Sequence, residues 1–165
     1  MCLALTRVDY APTFAFHFLI FKIIIKIMQN LTQKKVQDLS YLINSALIEV
    51  HKNLGPGLLE SVYHKCLEHE FRLHGLKFQS HFSTPISYKG IHLQSELRCD
   101  FLVENTIVVE IKSVEKLLPV FEAQLITYMH LLKCPKGILV NFNSMTLMAE
   151  GHKSLVNQLF SALPS

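Results

Sequence analysis

The sequence has no Cys-x-x-Cys pair and no cysteine and histidine set at zinc-ligand spacing, so it suggests neither a zinc module nor a disulfide framework. Cys2, Cys66, Cys99 and Cys134 are widely separated and read as reduced, mostly buried thiols, a state that fits the cytosol. None of the nine histidines forms a His-x-x-x-His pair on a helical pattern. They read as surface and boundary residues, with His17 in the N-terminal segment. No apolar run reaches the ~20 residues of a spanning helix, and no internal repeat or low-complexity tract is present. Charge is also scarce. Acidic and basic residues make up 18% of the chain and the formal net charge is +3, with a pI near 8.7. That balance permits an anionic partner but falls short of the basic bias of a dedicated nucleic-acid binder.

What remains is a chain of 165 residues, half of them hydrophobic, which excludes a disordered protein and suits a single domain. A domain of this size buries roughly two-thirds of its unfolded surface. Residues 14–28 are apolar and aromatic but interrupted by Lys22 and Lys26. Asp9 in the leading region and the absence of a small-x-small site afterwards argue against a signal peptide. A membrane-surface anchor is one reading of this stretch, and a true start at Met28 is the other, which we prefer. The expected division is an N-terminal apolar extension over 1–35 and one domain over 36–165. A chain starting at Met28 is expected to stay folded; cooperative melting seen in the full chain and lost in the shortened one would contradict this. The sequon Asn30-Leu31-Thr32 matters only in a secreted protein and is discounted.

From Val36 to Leu54 the apolar residues step by three and four, predicting a helix that ends at Gly55-Pro56-Gly57. A second helix is predicted to carry Leu59, Val62, Tyr63, Cys66, Leu67 and Phe71 on one face and to stop at Gly75. Glu60 falls in its first turn, where the helix dipole alone would favour a carboxylate. Short strands are predicted over 76–82, 86–88 and 91–93, with a Lys89-Gly90 turn. A third helical stripe runs from Leu117 to Leu132, with Gln124 and Tyr128 on one face. A buried strand over 137–142 and a short helix over 154–162 complete the order. Helix, helix, strands, helix, strand implies an α/β fold, a mixed β-sheet flanked by α-helices.

The stretch Glu96–Lys112 reads as a β-hairpin with Glu104-Asn105 at its tip. Alternation places Glu110 and Lys112 on one face and Ile107, Val109 and Ile111 on the other, as a charged face and a core face. In the partner strand it places Arg98 with Asp100, opposite Leu97, Cys99, Phe101 and Val103. Strand pairing can set Asp100 beside Glu110. Two carboxylates and an ammonium at one spot suit a hard cation such as Mg²⁺, in the layout of phosphoryl transfer. The plain alternative is an edge hairpin with one solvated face. Against it, Val-Val-Glu-Ile-Lys is otherwise buried-strand composition, so its charges need a reason.

Gly57-Leu-Leu-Glu60-Ser-Val-Tyr63, the preceding Glu-Val-His-Lys-Asn-Leu-Gly-Pro-Gly, Asp100, Glu110-Ile-Lys112, Gln124 and Tyr128 together resemble the GxxExxY proteins, a branch of the PD-(D/E)XK nuclease superfamily. The resemblance runs from about Leu39 to Phe142 and implies a restriction-endonuclease-like core. It implies that Asp100 and Glu110 bind the metal, Mg²⁺ or Mn²⁺, that Lys112 is the motif lysine, Glu60 the helical acid and Gln124 an auxiliary polar residue. Cys99 stands where the superfamily's name has proline. By the chemistry, Glu60 would approach the cation directly or through water, and Lys112 would steady the attacking water and the developing charge. Gln124 and Tyr128 are expected to orient, although a buried tyrosine with a satisfied hydroxyl accounts equally for Tyr128 and Tyr63. The expected activity is metal-dependent hydrolysis of nucleic acid in the cytoplasm. The alternative is an inactive nucleic-acid- or protein-binding module on the same fold.

Overall fold

The computed structural model describes residues 31–89 and 91–165, without the side chains of 86–88 and 92–96. The apolar stretch 14–28, Cys2, His17, Asn30 and Gly90 lie outside the described residues. Helix α1 (Gln33–Leu54) opens on Thr32, whose hydroxyl accepts from the Lys35 N–H at 3.2 Å, satisfying one of the orphan donors of the first turn. Leu31 packs on the core, and the Gln33 N–H donates to the Pro164 carbonyl at 2.7 Å. Leu31 and Gln33 therefore pack with the body that follows them. The helix ends as Gly55 turns to φ 65°, a conformation that costs glycine little, and Pro56 prevents its continuation. Helix α2 (Glu60–Leu73) follows after this short loop.

The sheet has five strands in the order β1 (Phe78–Tyr88), β2 (Ile91–Val103), β3 (Ile107–Lys112), β4 (Lys136–Asn141) and β5 (His152–Val156). All neighbours are antiparallel except β3 and β4, which are parallel and joined across one face by α3 (Pro119–Leu131). This is the mixed sheet flanked by helices that the order of elements implies. The β2–β3 turn falls at Glu104-Asn105, whose φ values are 49° and 50°. The Thr106 N–H closes it by donating to the Val103 carbonyl at 2.9 Å, and Val103 and Ile107 are the last ladder pair. The short strands expected before it merge into β1 and the first half of β2, their ladder shifting register between Pro85 and Ser87. Proline has no N–H to contribute there. Residues 154–156, expected in a helix, instead belong to β5, and helix α4 is confined to Gln158–Ser161. The Asn157 side chain accepts from the Leu159 N–H at 3.0 Å, which starts a helix after Asn157 and leaves the preceding residues free to pair with β4.

Both faces of the sheet are cores. On one, Ile107, Val109 and Ile111 of β3 meet Ile43, Leu47, Leu67 and Phe71 of α1 and α2. On the other, Val108 and Leu139 meet Leu125, Tyr128 and Met129 of α3. The face expected to be charged is thus apolar at Val108, and Glu110 beside it is buried with only 3% exposure. Each fully buried aliphatic or aromatic side chain contributes about 1.5–3 kcal/mol, so both layers are needed to hold the sheet. Helix α3 lies close on β4 because Gly137 has no side chain: a Cβ there would stand 2.6 Å from Met129 Sδ.

The alternation expected along β2 also breaks. Leu97 and Cys99 pack towards α3, whereas Phe101 and Val103 pack towards α1 and α2. The same switch occurs in β1 between Phe78 and Phe82. Residues an even number apart share a face only in a regular strand. At the switch, Asp100 lies between Cys99 and Phe101 in β2, and in β1 His81 adopts φ 52°. Among the described residues no helix is long and apolar enough to cross a membrane.

Candidate active site

The backbone ladder between β2 and β3 runs through Val103–Ile107, Leu102–Val108 and Phe101–Val109 and then stops. Beyond it the strands are bridged by carboxylates in place of carbonyls. The Asp100 N–H donates to Glu110 Oε1 at 3.1 Å, and the Ile111 N–H donates to Asp100 Oδ2 at 2.9 Å. β3 meanwhile keeps pairing with β4 as far as Lys112 and Asn141, so the fork opens on the β2 side alone. Buried N–H groups must find acceptors, and here that requirement fixes both acids in one place.

Lys112 closes the fork. Its Nζ donates to Glu110 Oε2 at 3.2 Å and to the Ile111 carbonyl at 2.9 Å, and lies 3.9 Å from Asp100 Oδ2. It also sits 5.7 Å from the centre of the Phe121 ring, a cation–π contact with the residues leading α3. Burial pushes the Glu110 carboxyl up to about 7; the Asp100 charge adds to the rise, while Lys112 and the Asp100 N–H oppose it. The Cys99 thiol is driven to about 12 by burial and by the same two carboxylates, which keeps it protonated.

Glu60 arrives from the first residue of α2. Burial raises its pKa; Lys112 lowers it, Asp100 raises it, and a backbone hydrogen bond from Ser113 lowers it. The loop before it is clasped by Tyr63. Its hydroxyl donates to the Gly55 carbonyl at 2.7 Å and accepts from the Leu58 N–H at 3.0 Å, and its ring stacks on Phe142 at 4.6 Å. Ser113 Oγ donates to the Leu58 carbonyl at 2.6 Å, tying the same loop to the end of β3. Asn141 then holds the chain after β3, accepting from the Val114 N–H at 3.0 Å and donating to its carbonyl at 2.8 Å. Removing the clasp with Tyr63→Phe leaves two loop groups without their partner. A loss of about 1–2 kcal/mol is expected in denaturant unfolding; wild-type stability in the variant would contradict the clasp.

Tyr128 and Gln124 stand one step back. The Tyr128 hydroxyl donates to the Arg98 carbonyl at 2.9 Å and accepts from Gln124 Nε2 at 3.1 Å. This bond pins α3 to β2 two residues before Asp100, while Arg98 contributes its carbonyl and keeps its side chain exposed. The hydrogen bond of Gln124 goes to Tyr128 rather than to the carboxylates. Burial and the nearby Glu110 charge raise the Tyr128 pKa.

The sequence reading missed Ser113, Asn141, His64 and His81. His64, expected at a surface or boundary, is 6% exposed and lies between the rings of His81 and Phe101. Its only sequence signal is the spacing Glu60, His64, Glu68, which repeats every four residues along α2. One nitrogen from each of His64 and His81 and one oxygen of Asp100 lie within 4.8 Å of one another, but the two rings are stacked face to face, so their in-plane lone pairs cannot meet at one ion. The hard oxygens of Asp100, Glu110 and Glu60 suit a divalent ion.

Fold and site together define an α/β protein with a carboxylate–lysine centre where two strands of a mixed sheet part. The chain belongs to the PD-(D/E)XK nuclease superfamily, whose family model matches residues 37–154. A solved structure described as the crystal structure of SSO0001 aligns at 23% identity with a TM-score of 0.45, over 59% of this chain and 49% of that one. This chain thus spans about half the length of that protein. No curated protein matches the sequence.

Proposed function

We propose that the protein is a metal-dependent nuclease of the GxxExxY branch that hydrolyses phosphodiester bonds of nucleic acid in the cytosol. The observation that carries this reading is the fork, where Asp100 and Glu110 face one another with Lys112 Nζ 3.2 Å from one and 3.9 Å from the other. A structural ion pair needs one acid for one lysine; a second buried acid raises the cost unless a cation joins it. Asp100 and Glu110, with Glu60 from α2, would hold Mg²⁺ or Mn²⁺. When bound, such an ion polarises a phosphoryl oxygen and acidifies the attacking water. Lys112 supplies a fixed positive charge for the water and for the charge that develops on the phosphate. Tyr128 and Gln124 hold the β2 backbone that carries Asp100, and Tyr63 holds the loop that delivers Glu60. The three described cysteines, Cys66, Cys99 and Cys134, are free thiols, which agrees with a reducing compartment.

The test is purified protein against a mixed panel of DNA and RNA, single- and double-stranded, with Mg²⁺ or Mn²⁺ in one arm and EDTA in the other. Cleavage in the metal arm alone is expected. Binding without cleavage in every arm would instead favour an inactive binding module on the same fold.

A further inference from the structure

Beside the fork, a cleft of about 300 Å³ runs along α2, lined by Glu60, His64, Lys65, Glu68, His81 and Asp100. Two of these, His64 and His81, end a column of rings that rises out of the core. Phe101 lies at its base, edge-packed by Phe71 and Phe78 at 5.3 and 5.8 Å. His64 stacks on Phe101 with centres 4.2 Å apart and planes 19° from each other, and His81 stacks on His64 at 4.1 Å and 5°. Burial falls along the column, from Phe101 at 0% exposure through His64 at 6% to His81, which is exposed. The middle ring is held at its edges: Ser80 Oγ lies 3.5 Å from His64 Nε2, and Glu68 Oε1 lies 3.8 Å from its Nδ1. His81 adopts φ 52° within a strand, a conformation uncommon outside glycine, and stands opposite Asp100 between the ladder pairs Ser80–Phe101 and Phe82–Cys99. Strain of this kind collects at ligand sites and persists where the surroundings demand it. Here it accompanies the placement of one ring over another, next to an acid of the fork.

We propose that the column is a stacking platform for an unpaired nucleobase, with His81 as its outermost ring, so that the protein takes single-stranded or locally melted nucleic acid at the nucleotide beside the fork. Every base has a π-face that stacks on an aromatic ring with little regard to sequence, and histidine serves in this role. In a duplex both faces of an internal base are covered by its neighbours, so only an unstacked base can take the position. The charges of the cleft favour a base over a phosphate as its occupant. Glu60, Glu68 and Asp100 repel an anion, whereas a base is uncharged and its amino and ring N–H groups can donate to carboxylate oxygens. Lys65 is exposed on the same lining, where its ammonium can meet a phosphate flanking the base. A base and its phosphate are separated by one sugar, and a ring nitrogen of His81 lies within 4.8 Å of an Asp100 carboxylate oxygen. The platform thus holds a nucleotide next to the carboxylates without occupying them. The stacking rests on the rings; its place beside the bond to be cut rests on the proposed nuclease site.

Fluorescence anisotropy of the full chain in EDTA, at one fixed low salt concentration, reads base stacking apart from cleavage. Three labelled oligonucleotides of one length serve as probes: a single strand, the same strand with abasic sites across its centre, and a blunt duplex. Abasic sites keep the phosphates and remove the bases. Wild type is expected to bind the single strand about tenfold more tightly than the abasic strand. His81→Asn, which tolerates the same backbone conformation but lacks the ring, is expected to lose that advantage and to bind both strands as wild type binds the abasic one. Its affinity for the duplex is expected to match that of wild type. Equal affinity of wild type for the base-bearing and abasic strands would overturn the platform, as would failure to bind any probe. A single-strand advantage retained in His81→Asn would also overturn it, as would an equal loss on all three probes in a variant that still melts cooperatively. Absence of Mg²⁺-dependent cleavage with the stacking pattern intact would count against the proposed function alone; cleavage without that pattern would count against the platform alone.

Discussion

Lys112→Ala is expected to lower single-turnover cleavage by about 10²-fold or more while metal and nucleic-acid binding persist, the range typical of losing one preorganised electrostatic group. The expectation follows from how Lys112 is held. Its Nζ is fixed by the Ile111 carbonyl at 2.9 Å and by Glu110 at 3.2 Å, so the charge stands in place before any substrate arrives. The side chain is 14% exposed, which limits screening by water and strengthens its field. Asp100 and Glu110 remain bonded across the fork through backbone N–H groups that the substitution leaves alone. A fall in affinity that accounts for the whole fall in rate would make Lys112 a binding residue instead.

Asp100→Asn is expected to abolish the rise in melting temperature that Mg²⁺ or Mn²⁺ gives the wild type, because a ligand that binds only the folded state stabilises it and the variant has lost one of the carboxylates proposed to hold the ion. Asparagine still offers an oxygen to the Ile111 N–H, so the fork itself should persist. An equal rise in the variant would show that the ions act non-specifically. The same pair of proteins, kept metal-free, makes a pH prediction. Glu110 is held up to about 7 in the folded state, above its unfolded value near 4.3. The folded state therefore binds the proton more tightly. The resulting stability is fully present below the unfolded value and is lost as pH rises through about 7. His64 and His152, both lowered chiefly by burial, act oppositely, and their contribution is complete once pH exceeds their unfolded value of about 6.5. Between roughly pH 6.5 and 7.5 the decline belongs chiefly to the carboxylates, before the buried Cys99 and Cys134 thiols, both held up to about 12, add to it. It should be shallower in Asp100→Asn, where one cause of the Glu110 shift is gone, and shallower in wild type with Mg²⁺. A flat profile in metal-free wild type would show that Glu110 is ionised without cost.

Local chemistry made much of this fold legible in the sequence. Gly55-Pro56 ends α1 because one residue needs a positive φ and the next cannot continue a helix; Glu104-Asn105 turns the hairpin for a similar reason. The grouping of Asp100, Glu110 and Lys112 followed from strand alternation and pairing, both short-range rules. What the sequence hid depends on tertiary contact. The second core under α3 was concealed because Glu110 and Lys112 interrupt its pattern on β3, leaving Val108 as the apolar residue of that face. β5 was hidden because five residues carry too little periodicity to separate strand from helix, and the boundary rests on one Asn157 side chain. His64 and His81 lie 17 residues apart on different elements, and nothing local announces the φ of 52° that brings His81 round. The fork has the same origin: a ladder that ends because side-chain oxygens replace carbonyls looks, in sequence, like a ladder that continues.

The most direct measurement compares wild type with the Asp100→Asn, Lys112→Ala double variant, in single-turnover cleavage and in nucleic-acid affinity at one fixed salt concentration. Salt must be fixed because phosphate contacts make affinity steeply dependent on it. Wild type should cleave in Mg²⁺ or Mn²⁺ and the double variant should not. Wild type that binds nucleic acid tightly yet cleaves it no faster than the double variant would contradict nuclease activity and leave the fold standing.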